Sequence, residues 1–153
     1  MYHHAPDDYH CPFCLIASQQ ANAFVETIPD DIIHASEQVT AFISSRWWPN
    51  NPGHAIIIPN QHYENIYDLP LKAASAIHEL AREIALAMKQ HYCCPGISTR
   101  QHNEPAGNQD VWHYHLHVFP RYHDDQLYFT HRRRTTPEER RPYAEQLRAY
   151  FQR

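Results

Sequence analysis

The sequence predicts an α+β fold: an antiparallel sheet of about five strands, one long helix and a second helix at the C-terminus. Short β-branched and apolar runs, each of strand length, occur on both sides of residues 70–91. Residues 70–91 themselves repeat apolar side chains every three or four positions, as an amphipathic helix does. Because strands and helices do not alternate regularly, a parallel βαβ sheet is not expected. The length of 153 residues fits a single domain with one core.

The first half of the chain contains the elements of a hairpin and of a buried strand. A short helical turn begins at Pro12, where the missing backbone N–H costs nothing. Residues 32–36 and 39–44 are β-branched runs that predict a hairpin. Residues 46–53 contain two prolines and a glycine and are expected to form a loop. Residues 54–59 are a short apolar run and predict a strand buried on both faces.

The second half of the chain begins with the long helix over 70–91 and continues with two more strands. A Pro-Gly pair stops the helix, and residues 96–102 predict one of these strands. The run HYHLHVF at 113–119 predicts the other. Residues 123–136 are expected to be irregular. Proline at a helix start and a one-sided apolar pattern predict the C-terminal helix over 137–151.

Composition and charge narrow the function classes. Apolar residues make up 42% of the chain and charged residues 20%, as in a globular protein. The net charge of −4, with the 14 histidines counted as neutral, gives no reason to expect nucleic-acid binding. No run approaches the roughly 18 apolar residues of a membrane span, so no membrane partner is expected. No basic segment followed by an apolar run marks an export signal, and a cytoplasmic location is expected.

The most informative segment is WHYHLHVFPR at residues 112–121. Side chains on a strand alternate between faces, so His113, His115 and His117 share one face, with an apolar face opposite. Three interpretations are open for this row of imidazoles. It is a polar sheet face without chemistry, it chelates a metal, or one imidazole is a nucleophile that its neighbours position.

A Cys-x-x-Cys pair at Cys11 and Cys14 is a second candidate for chemistry. This spacing occurs in half of a tetrahedral zinc site and also in redox dithiols. A thioredoxin-like redox site needs a βαβ context that the sequence lacks. The pair alone does not choose between a metal ligand and an inert pair of thiols.

Several motifs together resemble the histidine triad (HIT) family. The string from His113 to Arg121 resembles its His-x-His-x-His signature with a trailing Pro-Arg. The family's order is also matched by CPFCLIA, VTAFIS, GHAIIIPNQHYENI and NEPAGNQDVWH. The resemblance covers residues 11–123, so we interpret 1–153 as a single HIT-like domain. Residues 1–10 would form a polar arm and residues 124–153 a C-terminal extension with a helix.

The resemblance implies hydrolysis or transfer at the α-phosphate of a nucleotide substrate, such as a nucleoside phosphoramidate or a dinucleoside polyphosphate. His115 would attack phosphorus and form a covalent nucleotidyl-histidine, while His117 and His54 would flank the phosphate. Gln109, with Asn108 as its rival, and Asn103 would contact the phosphate or the leaving group. Two alternatives stay open: a zinc-stabilised nucleotide-binding module without turnover, and transfer to an acceptor phosphate.

The resemblance also implies a structural zinc ion and a homodimer. The four ligands of the Zn²⁺ would be Cys11, Cys14, His62 and His113, a closed set without an open position for water. His113 would thereby be committed to the metal, which leaves His115 free for phosphorus. The homodimer would be formed by paired sheets.

Two features depart from the family pattern. An acidic residue that usually grips the ribose hydroxyls is replaced by Ser44, which is expected on the substrate side but cannot hold both hydroxyls as a carboxylate can. The following loop carries Trp47 and Trp48, which either close the core or a dimer interface or provide a platform for a base; Trp47 is the candidate substrate contact. The basic run over 131–141 is expected to be a solvated face, and Arg121 a structural residue.

Overall fold

The computed structural model describes residues 2–20 and 22–152, and it contains a five-stranded sheet in the order β1-β2-β4-β6-β5. All neighbouring strands of this sheet are antiparallel. The predicted α+β fold with about five strands is therefore confirmed. The strands of the sheet are β1 (Ile32–Ala35), β2 (Val39–Ile43), β4 (Ala55–Pro59), β5 (Gly96–Gln101) and β6 (Leu116–Arg121).

A second, two-stranded sheet was not predicted. The strands β3 (Arg46–Trp47) and β7 (Arg133–Arg134) pair antiparallel, although their segments were expected to be a loop and an irregular stretch. The Thr135 amide and hydroxyl both donate to the carbonyl of Ser45, at 2.9 and 2.8 Å. This pairing is set by contacts between residues about 90 positions apart, which local sequence patterns do not encode. The pairing holds the segment before the C-terminal helix against the segment that follows β2.

The described residues form three α-helices, whose ends coincide with residues that favour helix termination: α1 (Pro12–Ala17), α2 (Leu71–His91) and α3 (Pro137–Phe151). The helix α3 starts with a capping box in which the Thr136 hydroxyl accepts from the amide of Glu139 and the Glu139 carboxylate accepts from the amide of Thr136. The helix α2 ends before Cys93, whose positive φ of 53° is incompatible with continued helix. All three helices were predicted.

The two faces of the sheet are buried by different partners. Helices α2 and α3 cover one face and form the larger core with alternate strand residues such as Ala41, Ile57 and Val118. The short helix α1 covers part of the opposite face, where Phe13 and Ile16 pack with other apolar side chains. We call this opposite side the histidine face, because the triad residues project from it.

The strand β6 starts at Leu116, so His113 and His115 precede it rather than lie within it. Its neighbour β4 ends at Pro59, and its other neighbour β5 ends at Gln101, which pairs with Leu116. The amide of Tyr114 donates to the carbonyl of Tyr63, in the loop after β4, at 2.6 Å. The alternation of faces nevertheless continues, since Tyr114 and Leu116 belong to the helix-side core.

Among residues 2–20 and 22–152, no helix combines the length and the apolar character that crossing a bilayer would require.

Candidate active site and metal centre

The strand register brings His54 against the end of the histidine row. In the pairing of β4 with β6, Ala55 lies opposite Val118 and Ile56 opposite His117. Since side chains alternate, His54 projects from the same face as Ile56 and His117. Its Nε2 lies 3.2 Å from Nδ1 of His117, and both side chains are buried. Two residues 63 positions apart thus form one imidazole pair.

His115 is fixed in one tautomer by its own backbone. Its Nδ1 lies 2.7 Å from the carbonyl oxygen of His113, an acceptor that requires the ring proton on Nδ1. The other nitrogen, Nε2, then carries the lone pair in the neutral ring. The edge of the Phe13 ring, 5.1 Å between centroids, supports the imidazole from the α1 side. His115 is therefore buried and held in one orientation, with Nε2 as its basic nitrogen.

Burial keeps the histidine cluster neutral. It lowers the pKa of His115, although the bond to the His113 carbonyl and the charge of Asp110 oppose this shift. Burial lowers the pKa of His54 to about 3, and it holds the pKa of His117 well below the ordinary value. The charge of Arg100 and the neighbouring imidazoles strengthen the shifts of His54 and His117, because a nearby positive charge disfavours the imidazolium form. The cluster therefore provides neutral rings at pH 7.

The hydrogen-bond pattern also assigns the proton between His54 and His117. In the described part of the chain, Nδ1 of His54 is buried without a hydrogen-bond partner. A buried N–H without an acceptor costs more free energy than a buried lone pair without a donor. Nδ1 of His54 therefore carries the lone pair, and its Nε2–H donates to Nδ1 of His117. The proton of His117 is then on its Nε2, where it can be donated to a ligand.

An ion pair that the sequence did not suggest lies beside the reactive nitrogen. A carboxylate oxygen of Asp110 lies 3.8 Å from Nε2 of His115, and its other oxygen accepts from Arg132 at 2.5 Å. Both side chains are about two-fifths exposed. The Arg132 guanidinium lowers the pKa of Asp110 against the effect of its burial. Asp110 adjoins the triad motif in sequence, but only the folded C-terminal segment shows its partner.

The predicted zinc ligands meet at the other end of the row. One ligand atom each from Cys11, Cys14, His62 and His113 can be chosen so that all four lie within 4.8 Å of one another. Nδ1 of His113 lies 3.3 Å from the Cys11 sulfur and 3.5 Å from the Cys14 sulfur. Nδ1 of His62 lies 3.3 Å from the Cys14 sulfur. Such separations fit ligands at roughly 2.0 to 2.3 Å from one tetrahedral ion.

Two further observations fit a cation in this cluster. Nε2 of His113 lies 2.9 Å from the carbonyl of Pro59, the outer contact that orients a metal-binding imidazole and leaves Nδ1 for the ion. Burial and the adjacent Cys11 raise the pKa of the Cys14 thiol to about 12. A divalent cation would reverse this shift by stabilising both thiolates.

The two side-chain amides predicted to contact phosphate are engaged in holding a loop. The Gln109 amide nitrogen donates to the carbonyls of Glu64 and Val111, at 2.6 and 3.0 Å, and its oxygen accepts from the Glu104 amide at 2.8 Å. The Asn103 oxygen accepts from the amide of Ile66 at 2.8 Å. These side-chain amides therefore bond to backbone groups of the protein itself, whereas the sequence predicted that they would contact a ligand.

The structure separates the roles of the two tryptophans and of Ser44. Trp47, 4% exposed, packs edge-on against Tyr143 in the helix-side core, which differs from the expected substrate contact. Trp48 is the tryptophan on the histidine face, 5.7 Å from the His54 ring. Ser44 is buried, and its hydroxyl bonds to the backbone of Arg46. The alternation of strand faces sends Trp47 to the core.

The basic run over 131–141 is not uniformly solvated, which corrects that expectation. Arg140 is 1% exposed and forms two bonds of 2.8 Å with the buried carboxylate of Asp31. Arg121 pins the end of β6, as expected, by binding Asp125 and the hydroxyl of Ser98. A run of charged residues is usually solvated. Arg140 is buried because the buried carboxylate of Asp31 pairs with its guanidinium.

Three alternate histidines that lead into a strand of an antiparallel sheet, with a fourth histidine paired to the last of them, define a protein of the histidine triad type. The sequence comparison agrees, since a family model for the HIT domain matches residues 25–124. The chain therefore belongs to the HIT family.

Individual relatives support the same placement. The Protein hit of Bacillus subtilis is 30% identical over 112 residues, which cover 73% of this chain and 71% of that protein. The adenosine 5'-monophosphoramidase HNT1 of Saccharomyces cerevisiae is 28% identical over 114 residues, or 74% of this chain and 64% of that protein. A zinc-bound histidine triad family protein from Mycobacterium smegmatis superposes with a TM-score of 0.76 at 29% identity, covering 93% of each chain.

Proposed function

We propose that this HIT-family chain hydrolyses a bond at the α-phosphate of a nucleotide through a covalent intermediate on His115. The observation that carries the proposal is the 2.7 Å contact between Nδ1 of His115 and the carbonyl of His113. It leaves a neutral imidazole with its lone pair on Nε2, the form in which histidine is a nucleophile. A metal ligand would need the same free nitrogen, but the metal-binding cluster consists of Cys11, Cys14, His62 and His113 and does not include His115.

In the first step, Nε2 of His115 forms a bond to the α-phosphorus while the bond from phosphorus to the leaving group breaks. The electron pair of that bond goes to the leaving group, which takes a proton from solvent if it is an amine. The His113 carbonyl stabilises the positive charge that develops on the phosphorylated imidazole, because it still accepts the Nδ1–H. In the second step, water attacks phosphorus, the Nε2–P bond breaks, and the proton of the water is released to solvent.

His117 and His54 would act as a relay of fixed donors beside the phosphate. The Nε2–H of His54 donates to His117, which leaves the Nε2–H of His117 for a phosphate oxygen or the leaving atom. Neutral donors that are already oriented stabilise developing charge without reorganisation in the transition state. Gln109 and Asn103 act as positioning residues that hold the loop before His113.

The name of one relative suggests a first substrate class to test. HNT1 is named an adenosine 5'-monophosphoramidase, and it aligns with this chain over 114 residues at 28% identity. A nucleoside phosphoramidate is therefore the first substrate to test, with a diadenosine polyphosphate as the second.

The test is turnover of both substrates by the wild-type chain, by His115→Ala and by a matched control, His78→Ala. His78 is an exposed residue of α2, which covers the opposite face of the sheet. We expect hydrolysis that His115→Ala reduces by at least about 10³-fold and that His78→Ala leaves unchanged. A nucleotidyl adduct should be trapped by mass spectrometry on His115.

Each other outcome favours a different function. Binding of nucleotide without turnover or adduct would contradict the hydrolase and indicate a zinc-stabilised binding module. Product that forms only after an acceptor phosphate is added would indicate a transferase.

We further propose that Cys11, Cys14, His62 and His113 bind a structural zinc ion. The cluster supplies two sulfurs and two imidazole nitrogens, a set that zinc prefers, and no fifth group is needed. The ion would supply cross-linking of α1, the loop after β4 and the start of the triad, with no part in the reaction. Metal analysis should give about one zinc per chain. A content near zero in the wild type, or an unchanged content in Cys14→Ala, would contradict the site.

The predicted homodimer is proposed to use the edge strand β5. The sheet has two edges, and α3 packs along the β1 edge, so β5 offers the open row of backbone groups. Light scattering during size-exclusion chromatography should give twice the 18.1 kDa chain mass. Thr99→Pro, in β5, should shift it to one chain mass, whereas a wild-type monomer would refute the proposal.

A further inference from the structure

An arginine on the histidine face has a setting unlike that of the others near the site. In the pairing of β5 with β6, Arg100 lies opposite His117, so both side chains project from the same face. The Arg100 guanidinium carbon lies 4.8 Å from the ring centre of Trp48, 4.8 Å from that of Phe119 and 5.7 Å from that of Tyr128. Three aromatic rings therefore hold this guanidinium in place.

Among the described residues, Arg100 has no anionic partner. Within residues 2–20 and 22–152, no carboxylate oxygen lies within 4.0 Å of its guanidinium nitrogens. Its Nε is buried without a hydrogen bond. By contrast, Arg121 is paired with Asp125 and Arg132 with Asp110. The stacking contacts offset part of the desolvation of Arg100, but no acceptor in the described part of the chain uses its guanidinium donors.

The position of Arg100 relates it to the reacting groups. The Phe119 ring stacks on His54 at 4.6 Å and on His117 at 5.6 Å, and Arg100 lies against that same ring. Arg100 is thus one aromatic ring away from the pair that would flank the α-phosphate. The zinc ligand His113 lies at the other end of the histidine row. An anion that continues from the α-phosphate past His117 would reach Arg100.

We propose that Arg100 forms a subsite for the phosphate groups of the leaving group, so that the substrate is a nucleoside or dinucleoside polyphosphate. The inference rests on the proposed function, which does not by itself specify the leaving group. An unpaired guanidinium matches phosphate oxygens in charge and in geometry. An ammonia leaving group, as in a phosphoramidate, would give Arg100 nothing to bind.

In the first step of the reaction, Arg100 would stabilise the charge that develops on the leaving group. With diadenosine triphosphate, Nε2 of His115 bonds to an α-phosphorus and the bridging P–O bond breaks. The electron pair stays on the terminal oxygen of the departing ADP, which leaves as an anion without needing a proton. A cation that contacts this phosphate chain stabilises the charge as it develops. Arg100 is therefore a specificity-determining residue.

The first experiment compares two substrates in the same variants. We measure kcat/KM for diadenosine triphosphate and for adenosine 5'-phosphoramidate in wild type, Arg100→Gln, Arg100→Lys and the control Arg82→Gln, an exposed residue of α2. The ratio of the two values should fall roughly 10-fold to 100-fold in Arg100→Gln, the range of a charged hydrogen bond, and recover partly in Arg100→Lys. Arg82→Gln should keep the wild-type ratio. A ratio within twofold of wild type in Arg100→Gln would overturn the inference.

The second experiment does not depend on turnover. Calorimetric titration with AMP and with ADP measures how much the second phosphate adds to affinity. Arg100→Gln should weaken ADP binding at least about 10-fold more than AMP binding. If the wild type turns over neither substrate but this difference is found, the proposed hydrolysis fails and the subsite stands. If Arg100→Gln weakens AMP and ADP equally, the subsite fails whatever the activity.

Discussion

Replacing Arg140 by methionine tests how much the buried ion pair of Arg140 and Asp31 contributes to the stability of the fold. The guanidinium binds the Asp31 carboxylate through two bonds of 2.8 Å and also donates to the carbonyls of Thr135 and Glu26. The exposed fraction of each charged side chain is 1%. Methionine keeps most of the volume but removes every donor. The substitution therefore leaves a buried carboxylate without its counter-charge.

The expected loss is about 3 to 5 kcal/mol of unfolding free energy, the cost of breaking one side of a buried ion pair. The Asp31 carboxylate keeps only one of its bonds, from the amide of Ile28 at 2.8 Å. Urea unfolding followed by circular dichroism measures the loss. Removing the charge as well, in Asp31→Asn combined with Arg140→Met, should recover part of the loss, because the stranded carboxylate is its main source.

The control is Arg141→Met, at the exposed next position of α3. It should change the free energy by less than about 0.5 kcal/mol. A loss below about 1 kcal/mol in Arg140→Met, similar to that of the control, would refute the reasoning about the buried pair.

Three more predictions concern positions that support the site. Gln109→Ala removes three hydrogen bonds and should lower the unfolding free energy by roughly 1 to 3 kcal/mol per buried backbone group left unpaired, as measured in urea. The Arg121 guanidinium holds the pKa of Asp125 well below its usual range, so the stabilisation is present above the ordinary pKa near 4 and is lost as the pH falls. The destabilisation by Asp125→Asn should thus be smaller at pH 3 than at pH 7. Gly53→Ala places a methyl group against the Tyr143 ring at a φ of +74° and should cost about 1 to 3 kcal/mol, read as a lower urea midpoint.

Each of these predictions has a result that would contradict it. Gln109→Ala with wild-type stability would mean that water replaces the side-chain bonds. A constant effect of Asp125→Asn between pH 7 and pH 3 would exclude the ionised carboxylate as the source of stability. Gly107→Ala is the control for Gly53→Ala, because an added Cβ at Gly107 meets nothing within 4 Å. Equal effects of the two glycine changes would rule out the collision with Tyr143.

Some features of the site follow from local periodicity and were therefore predictable. The period of two along the strand puts His113, His115 and His117 on one face wherever the strand lies. The period of 3.6 marks α2, and proline at the first turn marks the start of α3. These patterns depend on a few neighbouring residues and need no knowledge of the rest of the fold.

Other features depend on which distant segments meet. The predicted loop amides Gln109 and Asn103 are engaged by carbonyls and amides of the segment after β4, which the sequence does not place there. Arg132 and Arg140 belong to one basic run, yet one lies beside His115 and the other is buried with Asp31. Their neighbours along the chain are similar, so only long-range packing distinguishes them.

The sequence by itself predicted the antiparallel fold and the row of three histidines, because both follow from residue type and spacing, and its resemblance to the HIT family implied the four residues that could bind zinc. The tertiary structure decided the rest. The register of β4 against β6 paired His54 with His117, the folded C-terminal segment brought Arg132 to Asp110, and the pairing of β5 with β6 placed Arg100 among aromatic rings without a carboxylate. Register and long-range ion pairs are set by the packing of the whole core, which residue spacing alone does not encode.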